Sequence, residues 1–310
     1  MNNIQPKNQT KLYGLKNFIN EFVQLYNANN LPNKILLSGQ KGLGKSTLAY
    51  HLINYVLSKN EKYPYDIDEL EINPQNQSFK TILNKSNPNF FLIDISNEKK
   101  TIDINQIRNL INNLNQSSFN DKPRFVLIDN IEFLNINSIN ALLKILEEPS
   151  SNVHFILVNN NKKILPTLSS RCINFKIHLS YDENIIIADK LLNEKLFDII
   201  NKDLISYYFT AGNIYNLAIF SKENEYDLSN INLKKFLKII IKDNIYRKDN
   251  LISYLIFDFF ELYFSKTNKK FFLDINNKYS YFVKKMSDIK RFNLDKESLF
   301  IEFEETLLNG

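Results

Sequence analysis

Nine consecutive residues, GQKGLGKST at positions 39–47, have the composition and spacing of a phosphate-binding loop. The pattern G-x-x-x-x-G-K-[ST] is satisfied by Gly39, Gly44, Lys45 and Ser46. Glycines let backbone N–H groups turn towards phosphate, the lysine supplies positive charge, and the serine hydroxyl can bind Mg²⁺. The alternative is a glycine-rich turn that binds nothing. We predict binding of ATP with Mg²⁺, with these contacts from the loop: Gly39, Gly42, Gly44, Lys45, Ser46 and Thr47.

A second acidic motif, FVLIDNIE at 125–132, carries the expected partner of this loop. In nucleotide-hydrolysing proteins of this kind a strand ends in Asp, which holds the magnesium shell, and a following Glu often orients the attacking water. Asp129 fills the first position, but Asn130 fills the second, and an amide cannot act as a base. We expect Glu132 to be a surface residue that points away from the site. The sequence therefore predicts Ser46 and Asp129 as magnesium ligands, with hydrolysis weak or absent.

The elements around these motifs alternate between strands and helices from residue 34 to residue 177. Continuous apolar runs predict strands buried on both faces of a parallel sheet, and these runs are KILLSG, NFFLIDI, RFVLIDN, HFILVNN and INFKIHL. Helical patterns separate them, as in TLAYHLINYVL, IDINQIRNLINNL and NSINALLKILEEP. In the last pattern Pro149 is expected to end a helix whose apolar face holds Ile139, Leu142, Leu143 and Leu146. The fold class predicted is α/β with a five-stranded parallel sheet.

Beyond residue 180 the β-type runs disappear and the patterns are helical. We predict a nucleotide-binding α/β domain over 1–178, a small helical domain over 179–223 and an all-helical domain over 224–310. The aromatic stretch LISYLIFDFFELYF, from residue 251, is interpreted as the core of the last domain or as an assembly surface, and the two interpretations overlap because such a domain both packs and assembles.

Composition excludes several classes of protein. One cysteine, Cys172, and three scattered histidines argue against a disulfide framework and against a zinc site. The first residues lack the apolar segment of a signal peptide, and the most apolar late stretch is too short for a membrane span. We expect a cytoplasmic protein without membrane contact. A net charge of +5 permits contact with a polyanion but does not require it.

Two further stretches, NALLKILEEP and LPTLSSRC, carry a specific resemblance. Together with the loop, over roughly residues 10–220, they resemble the bacterial clamp-loader subunits of the AAA+ class, the gamma/tau and delta-prime family of DNA polymerase III. The resemblance implies a AAA+ domain, a helical lid and a C-terminal collar through which five subunits form a ring. The chain differs from many members of that family in one respect. Their four-cysteine zinc module is absent, and residues 60–88 occupy its place without a zinc ligand.

The resemblance also assigns roles to individual residues. Arg171, in the Ser-Arg-Cys motif, is implied to be an arginine finger that reaches in trans to the γ-phosphate bound by a neighbouring subunit, while Cys172 is a packed thiol. Sensor 1, a polar residue at the tip of the fourth strand, corresponds to Asn160, or to Asn159 in the other register. Either asparagine could equally cap the loop.

A second arginine of the family, in the lid, is missing from AGNIYNLA, where Tyr215 or Asn216 stands in its place. Without the glutamate and this arginine, the chain resembles delta-prime more than gamma/tau: a stator that supplies Arg171. The implied partners are gamma/tau, delta, the sliding clamp and primed DNA, although no lysine is assigned to DNA. The alternatives are an active gamma/tau-type ATPase motor and, outside the family, a phosphotransferase such as a nucleotide kinase.

Overall fold

The computed structural model describes residues 4–95, 101–117, 119–147, 152–267, 272–292 and 294–309. The chain divides into two compact units, residues 1–180 and residues 181–310. The three-domain division at 178 and 223 remains a prediction.

The first unit is built on one five-stranded sheet with every pairing parallel, as predicted. Its strands are β1 (Lys34–Ser38), β2 (Phe90–Ile93), β3 (Arg124–Ile128), β4 (Val153–Asn159) and β5 (Ile173–Lys176), in the spatial order β2-β3-β4-β1-β5. All seven residues of β4 are buried. The expectation of burial on both faces is wrong for the edge strands, where Leu92 of β2 and Ile173 of β5 are 40% and 55% exposed. Strand side chains point to the faces of the sheet, and at its margins the helices on those faces cover them less completely.

Helices cover both faces of the sheet and place a core on each side. They are α1 (Lys16–Asn27), α2 (Lys45–Ser58), α3 (Gln77–Leu83), α4 (Ile104–Leu114), α5 (Ile136–Glu147) and α6 (Pro166–Ser169). Alternate residues of β3 face opposite cores, with Phe125 packing among residues of α1 and α2 and Val126 among residues of α4 and α5. The sheet is therefore the middle of three layers, and the strand ends are fixed from both sides.

The predicted helices of this unit are present. The start of α4 is fixed by a capping box, in which Asp103 accepts from the backbone of Gln106 and the Gln106 side chain accepts from the backbone of Asp103. Of the predicted apolar face of α5, Leu142 and Leu146 are fully buried, while the other two members pack partly buried against the same core. The predicted stop at Pro149 lies outside the described residues.

The second unit is helical throughout its described residues. Its helices are α7 (Tyr181–Leu192), α8 (Leu196–Ile199), α9 (Ala211–Glu223), α10 (Leu233–Lys242), α11 (Ile245–Lys248), α12 (Asn250–Thr267), α13 (Phe272–Phe292) and α14 (Glu297–Phe303), followed by one π-helical turn at Glu304–Leu308. The aromatic stretch forms α12, and its rings are mostly buried; Phe260 stacks on Phe303 of α14 with ring centroids 3.8 Å apart. The structure thus shows that most of this stretch is part of a core, and the assembly surface stays a prediction. Among the described helices, none has the length and apolar character needed to cross a membrane.

Candidate functional site

The phosphate loop connects β1 to α2 in the backbone conformation that its glycines were expected to allow. Gly39, Gly42 and Gly44 have φ angles of 149°, 91° and 80°, a region that residues with a Cβ rarely adopt. At Gly39 there is also no space, because a Cβ would lie 2.5 Å from the carbonyl oxygen of Ile177. Gly44 then forms the N-cap of α2. The first turn of α2, whose backbone N–H groups make a helix N-terminus suited to anions, follows directly.

Lys45 has its ammonium group folded into this loop. The side chain is buried, and Nζ donates to the carbonyl oxygens of Gly39 at 2.8 Å and of Gln40 at 2.5 Å. Burial lowers the pKa of Lys45 from 10.5 to about 8, against the opposing effect of the nearby carboxylates of Asp129 and Glu132. The loop therefore holds a lysine at its centre whose charge state is sensitive to what binds beside it.

The predicted magnesium ligands lie against each other. The Ser46 hydroxyl donates to Oδ2 of Asp129 at 2.6 Å, joining the start of α2 to the end of β3. Burial raises the pKa of the Asp129 carboxyl, the Ser46 hydrogen bond opposes that effect, and the carboxylate of Asp94 adds to it. A hydroxyl and a carboxylate at the rim of a phosphate loop are the donors that Mg²⁺ accepts from protein when phosphates supply others. Thr47 lies next to them, half-buried in the first turn of α2.

Asn130, the residue in place of the expected glutamate, is held on both sides. Its backbone is left-handed, with φ 56°, a conformation that asparagine tolerates. Its amide nitrogen donates to Oδ1 of Asp94 at 2.9 Å, and its amide oxygen accepts from Nδ2 of Asn160 at 2.7 Å. The amide thus bridges the ends of β2 and β4, which lie on either side of β3.

The two registers for sensor 1 are separated by their contacts. Asn159, the last residue of β4, exchanges hydrogen bonds with the backbone of Lys162 and shapes the following loop. Asn160 instead faces the residues beyond β3, donating to Asn130 and, at 3.1 Å, to Oε1 of Glu132. The structure thus places Asn160, rather than Asn159, beside Asn130 and Glu132 at the end of β3, and its role as sensor 1 stays a prediction.

Our expectation for Glu132 is wrong. Its carboxylate accepts from both the side chain and the backbone N–H of Asn160, the latter at 3.3 Å, so it points towards the tip of β4. The chain does leave the strand at Asn130, but the short 3-10 helix Ile131–Phe133 turns it back along the sheet edge. Sequence spacing alone did not show that turn.

Arg171 lies elsewhere in the first unit, between α6 and β5. Its guanidinium donates from Nη1 to the carbonyl oxygen of Thr167 at 2.8 Å and from Nη2 to Oε1 of Glu147 at 2.5 Å. Neither partner belongs to the phosphate loop. Cys172, next to it, packs against the core, and burial raises the pKa of its thiol to about 11. As expected, it is a packed thiol with little thiolate at neutral pH.

Sequence reasoning missed two residues that contact the candidate site residues, Asp94 and Glu147. For Asp94 a signal was present, because FLID at 91–94 repeats the VLID that ends β3, and adjacent parallel strands end at the same edge. Asp94 and Asn130 meet there. For Glu147 the partner is 24 residues away, and no local pattern connects them.

The sequence lacks the second arginine and the four-cysteine module of the resembled family, and the structure shows where the two residues in place of the arginine lie. On α9, Tyr215 is buried and Asn216 is exposed. Among the described residues, no group of three or more His, Cys, Asp or Glu side chains is placed to hold a metal ion.

Comparison with known proteins then gives the family. The protein-family model described as "DNA polymerase III, delta subunit" matches residues 14–180, which is more than half of the chain and includes all of its sheet. The chain belongs to this family. The matched residues hold the five-stranded parallel sheet with its helices, and a helical region follows them.

Individual relatives carry two different subunit names. A DNA polymerase III subunit gamma from Buchnera aphidicola subsp. Schizaphis graminum is 27% identical over 244 residues, 76% of this chain and 64% of that protein. A subunit delta' from Buchnera aphidicola subsp. Baizongia pistaciae is 32% identical over 163 residues, 50% of this chain and 47% of that protein. A subunit delta' from Buchnera aphidicola subsp. Schizaphis graminum is 24% identical over 279 residues, 87% of this chain and 83% of that protein. The chain thus spans less than two thirds of the first two relatives, and both subunit types are among its relatives.

Proposed function

We propose that this chain is a delta-prime-type stator of the DNA polymerase III clamp loader, with little or no ATP hydrolysis of its own. The observation that carries the proposal is the state of Asn130. The position of the water-orienting glutamate holds a neutral amide whose oxygen and nitrogen are both engaged, with Asn160 and Asp94. A group committed in this way does not accept a proton from water.

The phosphate loop fits a nucleotide even though the residues around it do not favour cleavage. Left-handed glycines, the ammonium of Lys45 within the loop, and the paired oxygens of Ser46 and Asp129 are the groups that hold a triphosphate with its magnesium. Magnesium bound with ATP would neutralise phosphate charge there. We propose that the loop holds nucleotide as a structural ligand, with Asn160 beside the terminal phosphate.

The position of Arg171 supports action on a neighbouring subunit. Its guanidinium contacts Thr167 and Glu147 and is about one third exposed, rather than turned into the loop of its own chain. An arginine supplied in trans to a γ-phosphate can contribute about 10³ to 10⁵ in rate. The proposed recipient is the ATP site of a gamma/tau subunit, and the proposed assembly contains delta, the sliding clamp and primed DNA. We further propose residues 179–223 as the lid and residues 224–310 as the collar.

Phosphate release by the purified chain tests the stator proposal. The chain is incubated with Mg-ATP and primed DNA beside a Lys45→Ala variant, and inorganic phosphate is measured at steady state. Release equal to that of the variant is expected. Clear release that depends on Lys45 would overturn the proposal.

Arg171→Ala, in a clamp loader reconstituted with this chain, tests the finger separately. Clamp- and DNA-stimulated ATP turnover should fall while the melting temperature of the isolated subunit stays unchanged. Unchanged turnover would refute the role of Arg171.

The second candidate is an active gamma/tau-type motor. Two observations favour it: the loop and its Ser46–Asp129 pair are complete, and Glu132 supplies a carboxylate at the same sheet edge through Asn160. In that case phosphate release would depend on both Lys45 and Glu132. Loss of release in Glu132→Gln, with nucleotide binding retained, would distinguish the motor from the stator.

A further inference from the structure

The guanidinium of Arg171 is held by two elements of its own chain at once. Helix α5 ends beside the segment that follows α6. Nη2 donates to Oε1 of Glu147 in α5 at 2.5 Å, and Nη1 donates to the carbonyl oxygen of Thr167 in α6 at 2.8 Å. The carboxylate and the arginine are 24 residues apart, so this contact is a product of the fold rather than of local sequence.

The fold itself gains little from this ion pair. The side chains of Arg171 and Glu147 are 32% and 53% exposed, and ion pairs with this exposure contribute little to stability because water screens them. What the contact does change is the freedom of the arginine. An arginine side chain has many rotamers, and fixing the fork of its guanidinium at two nitrogens removes most of them.

We propose that Glu147 is the positioning residue of the arginine finger. It holds the guanidinium by Nη2 in one orientation, so that the remaining N–H groups of the fork meet the terminal phosphate of a nucleotide bound by the neighbouring subunit. A guanidinium carries five N–H donors, and two are engaged here with Glu147 and Thr167. The inference rests on the proposed role of Arg171 in trans.

Positioning should appear in the rate and not in nucleotide affinity. A finger that is mobile still carries its charge, but it spends less time in the pose that stabilises the transition state. Glu147→Ala should therefore lower the stimulated kcat by about threefold to tenfold, with KM for ATP unchanged, because the lost orientation acts in the transition state. Glu147→Gln should recover most of the rate, since its Oε1 still accepts from Nη2.

The test uses a clamp loader reconstituted with the full chain, and measures clamp- and DNA-stimulated ATP turnover over a range of ATP concentrations. The variants are Glu147→Ala, Glu147→Gln, Arg171→Ala and the double variant with both alanines. Glu69→Ala is the matched control, since it removes the carboxylate of another exposed ion pair, with Lys11 at 3.1 Å. Melting temperatures of the isolated subunits establish that each variant folds.

In the double variant, loss of Glu147 should add nothing to the loss of Arg171. Additive losses, or a Glu147→Ala variant with unchanged or faster turnover, would overturn the positioning role. If Arg171→Ala lowers turnover and Glu147→Ala does not, this inference fails alone. If Arg171→Ala leaves turnover unchanged, the proposed function fails as well.

Discussion

The buried lysine of the phosphate loop should make nucleotide binding depend on pH in the alkaline range. Burial lowers the pKa of Lys45 to about 8 in the free chain. A phosphate bound beside the ammonium favours its charged form, so the pKa in the complex should return towards 10.5. Binding then takes up a proton above pH 8. Between pH 7 and pH 9 the charged fraction of Lys45 falls from about nine tenths to about one tenth, so Kd should rise about tenfold.

A fluorescent ATP analogue with Mg²⁺, titrated at pH 7, 8 and 9, measures this dependence. Lys45→Arg is the matched control, because its guanidinium stays charged throughout the range. Any pH dependence that comes from titration of the nucleotide itself appears equally in this variant. The Arg variant should bind more weakly than the native chain at pH 7 but lose little further affinity by pH 9. Equal pH dependence in the two proteins, or a native Kd that does not change while Lys45→Ala weakens binding, would refute the reasoning.

Three further predictions concern stability. Burial lowers the pKa of His51 from 6.5 to about 4, so the unfolded chain takes up a proton there before the folded chain does. The free energy of unfolding should therefore fall by about 3 kcal/mol between pH 6.5 and pH 4. Denaturant titrations should show a smaller fall over this range for His51→Gln. Gly39→Ala, whose Cβ would meet the Ile177 carbonyl, should lower the melting temperature more than Gly44→Ala, where the nearest atom is 3.4 Å away; equal losses would contradict this steric reasoning. Asn130→Glu should destabilise the chain without restoring phosphate release, because it places a second carboxylate beside that of Asp94. Adding Asp94→Asn should recover stability. Lys45-dependent phosphate release by either variant would contradict the prediction.

The sheet could be predicted because its information is local. Each strand is a continuous apolar run between turn residues, and the loop glycines stand in one contiguous motif. Exposure of the edge strands could not be predicted in the same way. Whether Leu92 or Ile173 is covered depends on the spatial order of the strands, which apolar runs do not encode.

The same distinction between local motifs and long-range contacts applies to the candidate site. Lys45 and Ser46 were predicted, since they belong to the loop motif, and Asp129 was predicted from the end of its own strand. Asn160 was predicted as a candidate at the tip of its strand, but Asp94 was not. The hydrogen bonds that both make to Asn130 were not predicted either, because they join residues 36 and 30 positions apart. The expectation for Glu132 was wrong for the same reason. The direction of its side chain is set by the 3-10 helix after β3 and by Asn160 at the tip of β4, which lies 28 residues away in the chain.

These contacts change how the substitution at position 130 is understood. A glutamate in that place could only accept hydrogen bonds when ionised, whereas Asn130 donates to Asp94 and accepts from Asn160. The surrounding groups are therefore matched to an amide: a carboxylate on one side needs a donor, and an amide N–H on the other needs an acceptor. A change to glutamate would satisfy the second and repel the first. At this edge of the sheet Asn130 donates from its backbone to Asp129, and its side chain joins Asp94 to Asn160. An arrangement matched to an amide at position 130 supports the proposed role of a subunit that keeps its nucleotide and leaves cleavage to its neighbours.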